Sequence, residues 1–316
     1  MKKLKILFLG TPDFAVETLS KLHQHFEIVG VVTAPDKPSG RGRKLNQSAV
    51  KKYALEKNLE VLQPTNLKSD EFQQDLNRLN PNLAIVVAFR MLPKKVWSFP
   101  EYGTFNIHAS LLPNYRGAAP INWAVMNGEK ETGVTSFYLD EKIDTGAIID
   151  SRSVEIEKHE TAGSLHDKLM VLGADLAVET AKAISEGSAV AKKQIKDSDY
   201  KEAPKLTKEN TKINWNNDAD QIINFVNGLN PYPLAWASLI EEGKTVQIKI
   251  GCVEIENEID QEAHVGELIL KKNKLLIKSR TKWISIKELK YPGKKMLKIQ
   301  DFLNGYNQAN ADKMEL

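Results

Sequence analysis

The chain has 316 residues, 41% of them hydrophobic and 27% charged, and its formal net charge at pH 7 is +3. This length and apolar content are enough to bury at least one full core, and they make two domains plausible. A net charge this small does not by itself indicate a polyanionic partner, so that inference depends on local clusters of charge. Cys252 is the only cysteine, which excludes an intramolecular disulfide framework and fits a reducing compartment.

The N-terminal lysines and the apolar run at 6–9 imitate the start of a signal peptide. The run is too short for that role and meets Asp13 and Glu17 at once, so we interpret it as a buried strand. No segment approaches the ~20 apolar residues that a membrane span needs. We expect a cytoplasmic monomer that does not contact a membrane.

Strands and helices alternate over the first half of the chain. Short apolar runs predict strands at residues 6–9, 28–33, 60–62, 83–89, 104–110, 134–139 and 147–151. Helical spacing predicts helices that open at Thr11-Pro12, at 48, at 69 and near 123, and a long helix at 161–186. This order is typical of an α/β domain with a Rossmann-like, mostly parallel sheet covered on both faces. We assign that domain to residues 1–187.

The composition changes after Gly187. Residues 188–208 are polar, rich in lysine and without apolar periodicity, so we interpret them as a linker. After a short helix near 220–226, alternating runs predict strands at 235–240, 246–250, 267–270, 275–279 and 283–286. Such spacing predicts a small, OB-like antiparallel β-barrel over residues 209–316.

The most informative residues lie on the 104–110 strand. Asn106 and His108 are two residues apart and therefore share one face of that strand. Amide and imidazole N–H groups can stabilise an oxyanion, and the carboxylate of Asp144 can fix the protonation of the imidazole and help to move a proton. Spacing alone leaves structural roles open, because a lone strand histidine is often structural and Asp-x-Gly is common in turns.

Several motifs resemble the methionyl-tRNA formyltransferase family. They are Phe-Leu-Gly-Thr-Pro-Asp-Phe-Ala at 8–15, Thr-Ala-Pro-Asp-Lys-Pro-Ser-Gly-Arg-Gly-Arg-Lys-Leu at 33–45, Asn-Ile-His-Ala-Ser-Leu-Leu-Pro at 106–113, Tyr-Arg-Gly-Ala-Ala-Pro-Ile-Asn-Trp at 115–123, Asp-Glu-Lys-Ile-Asp-Thr-Gly at 140–146 and Asn-Gly-Leu-Asn-Pro-Tyr-Pro at 227–233. The Asn-x-His pair with the later Asp marks the wider group of enzymes that use 10-formyltetrahydrofolate. The Gly-Arg-Gly-Arg-Lys loop and the C-terminal domain narrow the resemblance to the tRNA enzymes.

The resemblance implies the formyltransferase fold and a reaction without a metal ion. The formyl group of 10-formyltetrahydrofolate, the folate co-substrate, passes to the α-amine of initiator Met-tRNA. By the same resemblance, Asn106 and His108 stabilise the oxyanion of a tetrahedral intermediate, while Asp144 takes up the amine proton and orients His108. The turn that matches the family's folate-contacting turn consists of Ser110, Leu111, Leu112 and Pro113.

Two basic regions bear on the tRNA partner. The first is a glycine-rich loop whose cations are Lys37, Arg41, Arg43 and Lys44. Glycines permit close backbone approach to phosphates, which favours tRNA contact, although most charged loops are simply solvated. The second, residues 271–298, is rich in lysine and holds the single acid Glu288, which we interpret as a tRNA-contacting surface.

One loop departs from the family pattern. Residues 88–93 read Ala-Phe-Arg-Met-Leu-Pro, one residue shorter than the usual loop and without its glycine. We interpret Arg90 either as a partner of a folate carboxylate or as a solvated surface residue.

Three other functions stay open on sequence alone. A sugar-nucleotide formyltransferase carries the same trio and folate turn, but the basic loop and the basic barrel argue against it. A formyltetrahydrofolate hydrolase needs no polyanion-binding surface. A catalytically inert RNA-binding protein of this fold has no use for the intact Asn106, His108 and Asp144.

Overall fold

A computed structural model describes residues 3–39, 44–195, 199–257, 263–271, 273–306 and 311–314. The chain forms two compact units, and the chain segments that make up each one are interleaved in sequence. The first unit gathers Met1–Gly117, Glu131–Val154 and His166–Glu202, and the second gathers Ala118–Lys130, Glu155–Leu165 and Ala203–Leu316. The domain limits inferred above, at 187 and 208, stay a prediction, because spatial units need not coincide with domains that fold alone.

The elements up to residue 186 alternate between strand and helix. Their bounds are β1 Lys5–Gly10, α1 Asp13–His25, β2 Glu27–Val32, β3 Lys37–Ser39, β4 Lys44–Asn46, α2 Ala49–Glu56, β5 Val61–Leu62, α3 Asp70–Leu79, β6 Leu83–Val87, α4 Lys94–Trp97, β7 Thr104–His108, β8 Arg116–Gly117, α5 Pro120–Met126, β9 Glu131–Tyr138, β10 Ile148–Glu155 and α6 Ala162–Glu186.

The first unit is built on a sheet with the strand order β10-β9-β7-β6-β1-β2-β5. β1 pairs in parallel with β2 and β6, as do β2 with β5 and β6 with β7, whereas β9 runs antiparallel to β7. All residues of β6 are buried, as expected for a central strand covered on both faces. The predicted Rossmann-like, mostly parallel sheet is confirmed.

The first helix begins one position later than the sequence indicates. Thr11 was the expected N-cap and Pro12 the first helical residue, but α1 starts at Asp13 and the extended Pro12 occupies the N-cap position. Pro12 has no side-chain group that could cap the helix, and its fixed φ is compatible with the extended conformation. The apolar face of the helix is as predicted, because Phe14 and Leu19 are buried.

The second unit is mainly antiparallel. Its elements from residue 202 are β11 Glu202–Ala203, a 3₁₀ turn at Glu209–Thr211, α7 Ala219–Leu229, β12 Ala235–Glu241, β13 Lys244–Glu256, β14 Leu268–Lys271, β15 Lys274–Lys278, β16 Trp283–Lys290, β17 Met296–Lys298, α8 Ile299–Asn304 and β18 Ala311–Met314.

These strands form a curled sheet with the order β14-β15-β16-β13-β12-β18, and β17 adds to β16. Trp215, Ile250 and Ile286 are fully buried in the core beneath it. The sequence predicts an OB-like antiparallel barrel, and the observed sheet confirms this fold as a half-barrel. Over the described ranges, no helix combines the length and apolarity needed to cross a bilayer.

Candidate active site

Two polar side chains share one face of β7 near its carboxyl end. In the pairing with β9, Asn106 lies opposite Phe137 and His108 opposite Thr135. Directly paired residues project from the same face of a sheet, so the same-face arrangement predicted from strand periodicity is present. His108 is 7% exposed, and its ring meets that of Phe137 edge to face at 6.4 Å between centroids.

Asp144 reaches the same place from the loop that follows β9. Its Oδ2 atom lies 3.8 Å from Nδ1 of His108, which is within ion-pair range but too long for a hydrogen bond. The same oxygen accepts a hydrogen bond of 2.9 Å from the backbone N–H of Gly117. The structure therefore brings the imidazole and the carboxylate together, although β8, α5 and β9 lie between them in the sequence.

A backbone carbonyl determines which ring nitrogen of His108 carries a proton. Nε2 lies 2.8 Å from the carbonyl oxygen of Tyr115. Because a carbonyl oxygen only accepts, Nε2 is the donor and Nδ1 faces Asp144. In this orientation His108 can donate a second hydrogen bond only as an imidazolium, through Nδ1. An oxyanion stabilised by His108 must therefore bind on the side of the ring that faces Asp144.

The side-chain oxygen of Asn106 is buried and has no hydrogen-bond partner among the described residues. Such atoms are rare, because a buried acceptor left unpaired costs about 1–3 kcal/mol. An unpaired amide oxygen on the same face as an imidazole is an arrangement that suits a polar ligand. Rotation of the side-chain amide by about 180° places its N–H donors where the oxygen now lies.

A buried hydroxyl holds the turn that follows β7. Thr135 Oγ1 donates to the carbonyl of Ser110 at 2.7 Å and accepts from the N–H of Leu112 at 3.2 Å. Ser110 is buried as well, and its own hydroxyl donates to the carbonyl of Asn114 at 2.7 Å. The other two residues of the 110–113 turn are half-buried. The turn is thus fixed through its backbone.

The loop that carries Asp144 has little freedom. Asp140 accepts a hydrogen bond from Thr145 Oγ1 at 2.8 Å, and Asp144 itself has a positive φ of 55°. A Cβ atom on Gly146 would lie 1.6 Å from the carbonyl oxygen of Tyr138, so only glycine fits there. These restraints set the direction in which the Asp144 carboxylate points.

Sequence reasoning missed the groups that hold His108, Asp144 and the 110–113 turn in place. The carbonyl of Tyr115 and the amide of Gly117 belong to the backbone, which no residue pattern reveals. Thr135 gives only the weak signal of a polar residue in an apolar strand. Gln194, whose side-chain amide bonds the carbonyls of Asp144 and Gly146, lies in the segment interpreted as a linker. Over the described ranges, no group of three or more His, Cys, Asp or Glu side chains is arranged to hold a metal ion.

Family models and similar proteins identify the chain. A model described as formyl transferase matches residues 3–181, and one described as formyl transferase, C-terminal domain, matches residues 205–307. Methionyl-tRNA formyltransferase of Flavobacterium johnsoniae is 49% identical over 99% of this chain and 100% of its own length. The protein of that name from Bacteroides thetaiotaomicron is 46% identical over 99% of this chain and 100% of its own length. The chain belongs to the methionyl-tRNA formyltransferase family.

The fold of this family member is also found among solved structures. The N-formyltransferase of Helicobacter canadensis, in complex with folinic acid and dTDP-3-aminofucose, superposes with a TM-score of 0.65. The two sequences are 21% identical, and the match covers 90% of this chain and 98% of the other. At that identity the likeness concerns the fold, and it agrees with the formyltransferase fold inferred from the motifs.

The base of the glycine-rich loop is an antiparallel hairpin of β3 and β4. Lys37 is exposed on β3, whereas Lys44 lies on β4; Arg41 and Arg43 fall outside the described residues. Just before the hairpin, three polar side chains form a closed group. Lys51 Nζ lies 2.6 Å from Asp36 Oδ2 and 2.7 Å from Gln63 Oε1, and Gln63 Nε2 donates to Asp36 Oδ1 at 2.8 Å. The Lys51 hydrogen bond, and then that of Gln63, hold the pKa of the Asp36 carboxyl below its usual value.

Arg90 is engaged with the backbone of the protein. Its guanidinium donates to the carbonyl of Thr65 at 3.0 Å and to that of Pro64, and it lies over the ring of Phe89 at 5.6 Å from the centroid. Neither interpretation given above included these contacts, which fix the exposed guanidinium to the backbone at 64–65.

Acidic side chains neutralise part of the basic C-terminal segment. Lys274 pairs with Glu256 at 2.7 Å and Lys287 with Glu254 at 2.8 Å. Both pairs bridge acidic residues of β13 to the basic strands, which the sequence shows only as separate stretches. The exposed lysines 290, 294, 295 and 298 have no carboxylate partner within the described part of the chain.

A basic row runs across the half-barrel. Trp236, Lys249 and Lys290 stand opposite one another on neighbouring strands and so project from the same face. The ammonium groups of Lys208 and Lys212 lie 5.4 Å and 5.9 Å from the centre of the Trp236 ring. We call these five residues the Trp236 row; it combines cations with an aromatic face.

Proposed function

We propose that the protein transfers the formyl group of 10-formyltetrahydrofolate to the α-amine of initiator methionyl-tRNA, giving N-formylmethionyl-tRNA and tetrahydrofolate. The observation that carries the proposal is the approach of Asp144 Oδ2 to within 3.8 Å of Nδ1 of His108, on the strand face that also holds the unpaired side-chain oxygen of Asn106. Full-length similarity to enzymes named methionyl-tRNA formyltransferase supports the choice of substrate.

The reaction is an acyl transfer through a tetrahedral intermediate. The amine nitrogen forms a bond to the formyl carbon, and the carbonyl π electrons move onto oxygen. Collapse of this intermediate breaks the bond between the carbon and N10 of the folate, and N10 takes a proton as it leaves. The oxyanion needs donors that are already in place, because preorganised dipoles supply much of the stabilisation in such reactions.

We assign the donor role to Asn106 and His108. The Asn106 amide can turn its N–H groups toward the oxyanion, and His108 can donate through Nδ1 as an imidazolium. Nε2 of His108 is already bonded to the Tyr115 carbonyl, which fixes the plane of the ring. The carboxylate of Asp144 would pair with the imidazolium charge.

Asp144 is also the base in this proposal. An α-amine has a pKa near ~7.7–8.0, so part of it is protonated at neutral pH and a proton must be removed before or during attack. Gly117 occupies Oδ2 of the carboxylate, which leaves Oδ1 available to receive that proton. From there the proton can pass to N10 as the intermediate collapses.

We assign the folate contact to the turn of Ser110, Leu111, Leu112 and Pro113. Thr135 fixes its backbone from beneath, so its half-buried residues form a preformed surface for a planar ring system. The Helicobacter canadensis N-formyltransferase was crystallised in complex with folinic acid, which supports a folate as the formyl donor of this chain. The proposed chemistry uses no metal ion.

We assign tRNA contact to the loop cations Lys37, Arg41, Arg43 and Lys44. The cations of this glycine-rich loop suit the phosphates of an acceptor stem. The Trp236 row offers a second surface of the kind that binds nucleic acid, with lysines around an aromatic ring. We expect one protein chain to bind one tRNA.

A formyl-transfer assay tests the proposal. Purified protein is given radiolabelled methionyl-tRNA and 10-formyltetrahydrofolate, and N-formylmethionine is measured after deacylation, with His108→Ala as the control. We expect rapid formylation by the unaltered protein and a large loss in the variant. Formylation of an amino-sugar nucleotide instead would identify a sugar-nucleotide formyltransferase. Release of formate without an acceptor would identify a hydrolase, and binding of tRNA without turnover would identify an inert RNA-binding protein.

A further inference from the structure

The segment expected to be a linker is attached to the first unit next to the Asp144 loop. Lys192 forms two backbone hydrogen bonds with Ile148 on β10, each of 2.8 Å. Two residues further on, Gln194 is half-buried, whereas its neighbour Ile195 is 80% exposed. A tether that only joined two domains would not need an inward-facing amide at this point.

The side chain of Gln194 bonds to both ends of a short stretch of the loop. Nε2 donates to the carbonyl of Asp144 at 2.9 Å and to the carbonyl of Gly146 at 2.8 Å. Oε1 accepts from Arg116, at 3.2 Å from Nε and 2.5 Å from a terminal nitrogen. The orientation of the amide follows from chemistry, because two carbonyls only accept and a guanidinium only donates.

Two consecutive residues of β8 therefore restrain Asp144, one directly and one through Gln194. Gly117 bonds the carboxylate directly, and Arg116 bonds Gln194, which in turn holds the backbone on either side of Thr145. Arg116 is itself packed over the ring of Tyr200 at 4.8 Å. A charged donor on Oε1 polarises the amide and strengthens the bonds that its N–H groups make.

We propose that Gln194 is a positioning residue that holds the Asp144 loop in its working conformation. The inference rests on the proposed function, since it assumes that Asp144 acts in formyl transfer. Asp144 has a positive φ, a conformation that a non-glycine residue keeps only where its surroundings fix it. Gln194 ties the carbonyl of that strained residue and the carbonyl of Gly146, so its loss lets the carboxylate move away from His108.

Two substitutions separate this role from simple packing. Gln194→Met keeps the length of the side chain and removes all of its hydrogen bonds. Gln194→Glu keeps the acceptor for Arg116 but places an oxygen against two carbonyl oxygens. We expect both variants to lower kcat by about 10- to 100-fold, the usual effect of a small displacement of a catalytic group, with KM values for both substrates nearly unchanged. Ile195→Ala, in the same segment, is the control and should match the unaltered protein.

A double-mutant cycle with Asp144→Asn shows whether Gln194 acts through Asp144. We expect Gln194→Met to cost little further activity once Asp144→Asn is present. An equal loss of kcat in both backgrounds, or an unchanged kcat in Gln194→Met, would overturn the proposal.

Hydrogen exchange tests the same contact without any substrate. Amides of residues 140–146 should exchange faster in Gln194→Met than in the unaltered protein or in Ile195→Ala, and unchanged exchange would contradict the proposed restraint. If the unaltered protein fails to formylate methionyl-tRNA, the proposed function is wrong, and the exchange result still decides whether Gln194 holds the loop.

Discussion

Nδ1 of His108 lies 3.8 Å from Oδ2 of Asp144, and each of the two groups is held by the backbone of residues 115–117, not by the other group. His108 Nε2 bonds the carbonyl of Tyr115, and Asp144 Oδ2 accepts from the amide of Gly117. The main chain at 115–117 thus sets the separation between carboxylate and ring. A gap of this size leaves room for both groups to bind the reacting atoms, as the proposed mechanism requires.

Replacing Asp144 by Asn tests the role of its charge. The amide has nearly the same shape but cannot take up the amine proton or pair with an imidazolium. General acid–base groups contribute about 10²–10⁴-fold, so we expect kcat/KM to fall by that order. Steady-state formylation of methionyl-tRNA measures the effect. The dissociation constant of methionyl-tRNA should stay nearly unchanged, and a variant with full activity would exclude Asp144 as the base.

Thr135 offers a test of the folate turn with a control on the same strand. Thr135→Val removes the hydroxyl that joins Ser110 to Leu112 and leaves a buried N–H unpaired, at a cost of about 1–3 kcal/mol. We expect a higher KM for 10-formyltetrahydrofolate and a lower thermal midpoint. Thr132→Val is the control, because the Thr132 hydroxyl is buried without a hydrogen-bond partner among the described residues. Equal effects of the two substitutions would argue that only packing matters.

Much of the fold follows from patterns along the chain, whereas the site depends on contacts between distant segments. Strand periodicity is enough to place Asn106 and His108 on one face. The position of Asp144 requires the antiparallel pairing of β9 with β7 and a loop that folds back, with Tyr138 N–H bonded to the carbonyl of Ala147 at 2.9 Å. Nothing local to Asp144 encodes either feature.

The pairing of charges across the sheet is likewise not visible in the sequence. Read along the sequence, Glu254 and Glu256 form an acidic stretch and Lys274 and Lys287 belong to a basic one. In the sheet β13 lies beside β16, and the two stretches partly neutralise each other. Strand order decides which cations remain available to bind a polyanion, and composition does not reveal that order.

The Asp36 group predicts how stability depends on pH. Lys51 and then Gln63 lower the pKa of Asp36 from its ordinary 3.8 in the folded state. A depressed carboxyl pKa stabilises the fold above the unfolded value, and this contribution is lost as the pH falls through the folded pKa. We expect Asp36→Asn to lower the urea midpoint at pH 7, and the difference from the unaltered protein to shrink well below pH 3.8. Glu186→Gln, an exposed acid at the end of α6, is the control; a difference that persists at the lowest pH would contradict the assignment.

The loop arginines are predicted to contribute to the binding of tRNA and not to the binding of folate. Arg41→Ala with Arg43→Ala should raise the apparent KM for methionyl-tRNA and leave that for 10-formyltetrahydrofolate unchanged. Each phosphate contact that is lost should reduce the slope of log K against log salt by about 1. The exposed Lys182 on α6 supplies the control, Lys182→Ala. If kinetics and salt slope both stay as in the unaltered protein, the loop has no nucleic-acid role.

Half-barrel lysines without a carboxylate partner are predicted to contribute more to tRNA binding than lysines that a carboxylate already neutralises. Lys290, Lys294 and Lys295 are exposed and have no such partner in the described ranges, so a phosphate can take that place. Changing the three to alanine should weaken methionyl-tRNA binding. If each lysine contacts one phosphate, the slope of log K against log salt should also decrease in magnitude by up to about 3. Lys287→Ala is the comparison, because Lys287 is paired with Glu254 at 2.8 Å. Binding measured from low to moderate salt distinguishes the two cases. A triple variant no weaker than Lys287→Ala would mean that tRNA does not contact this end of β16.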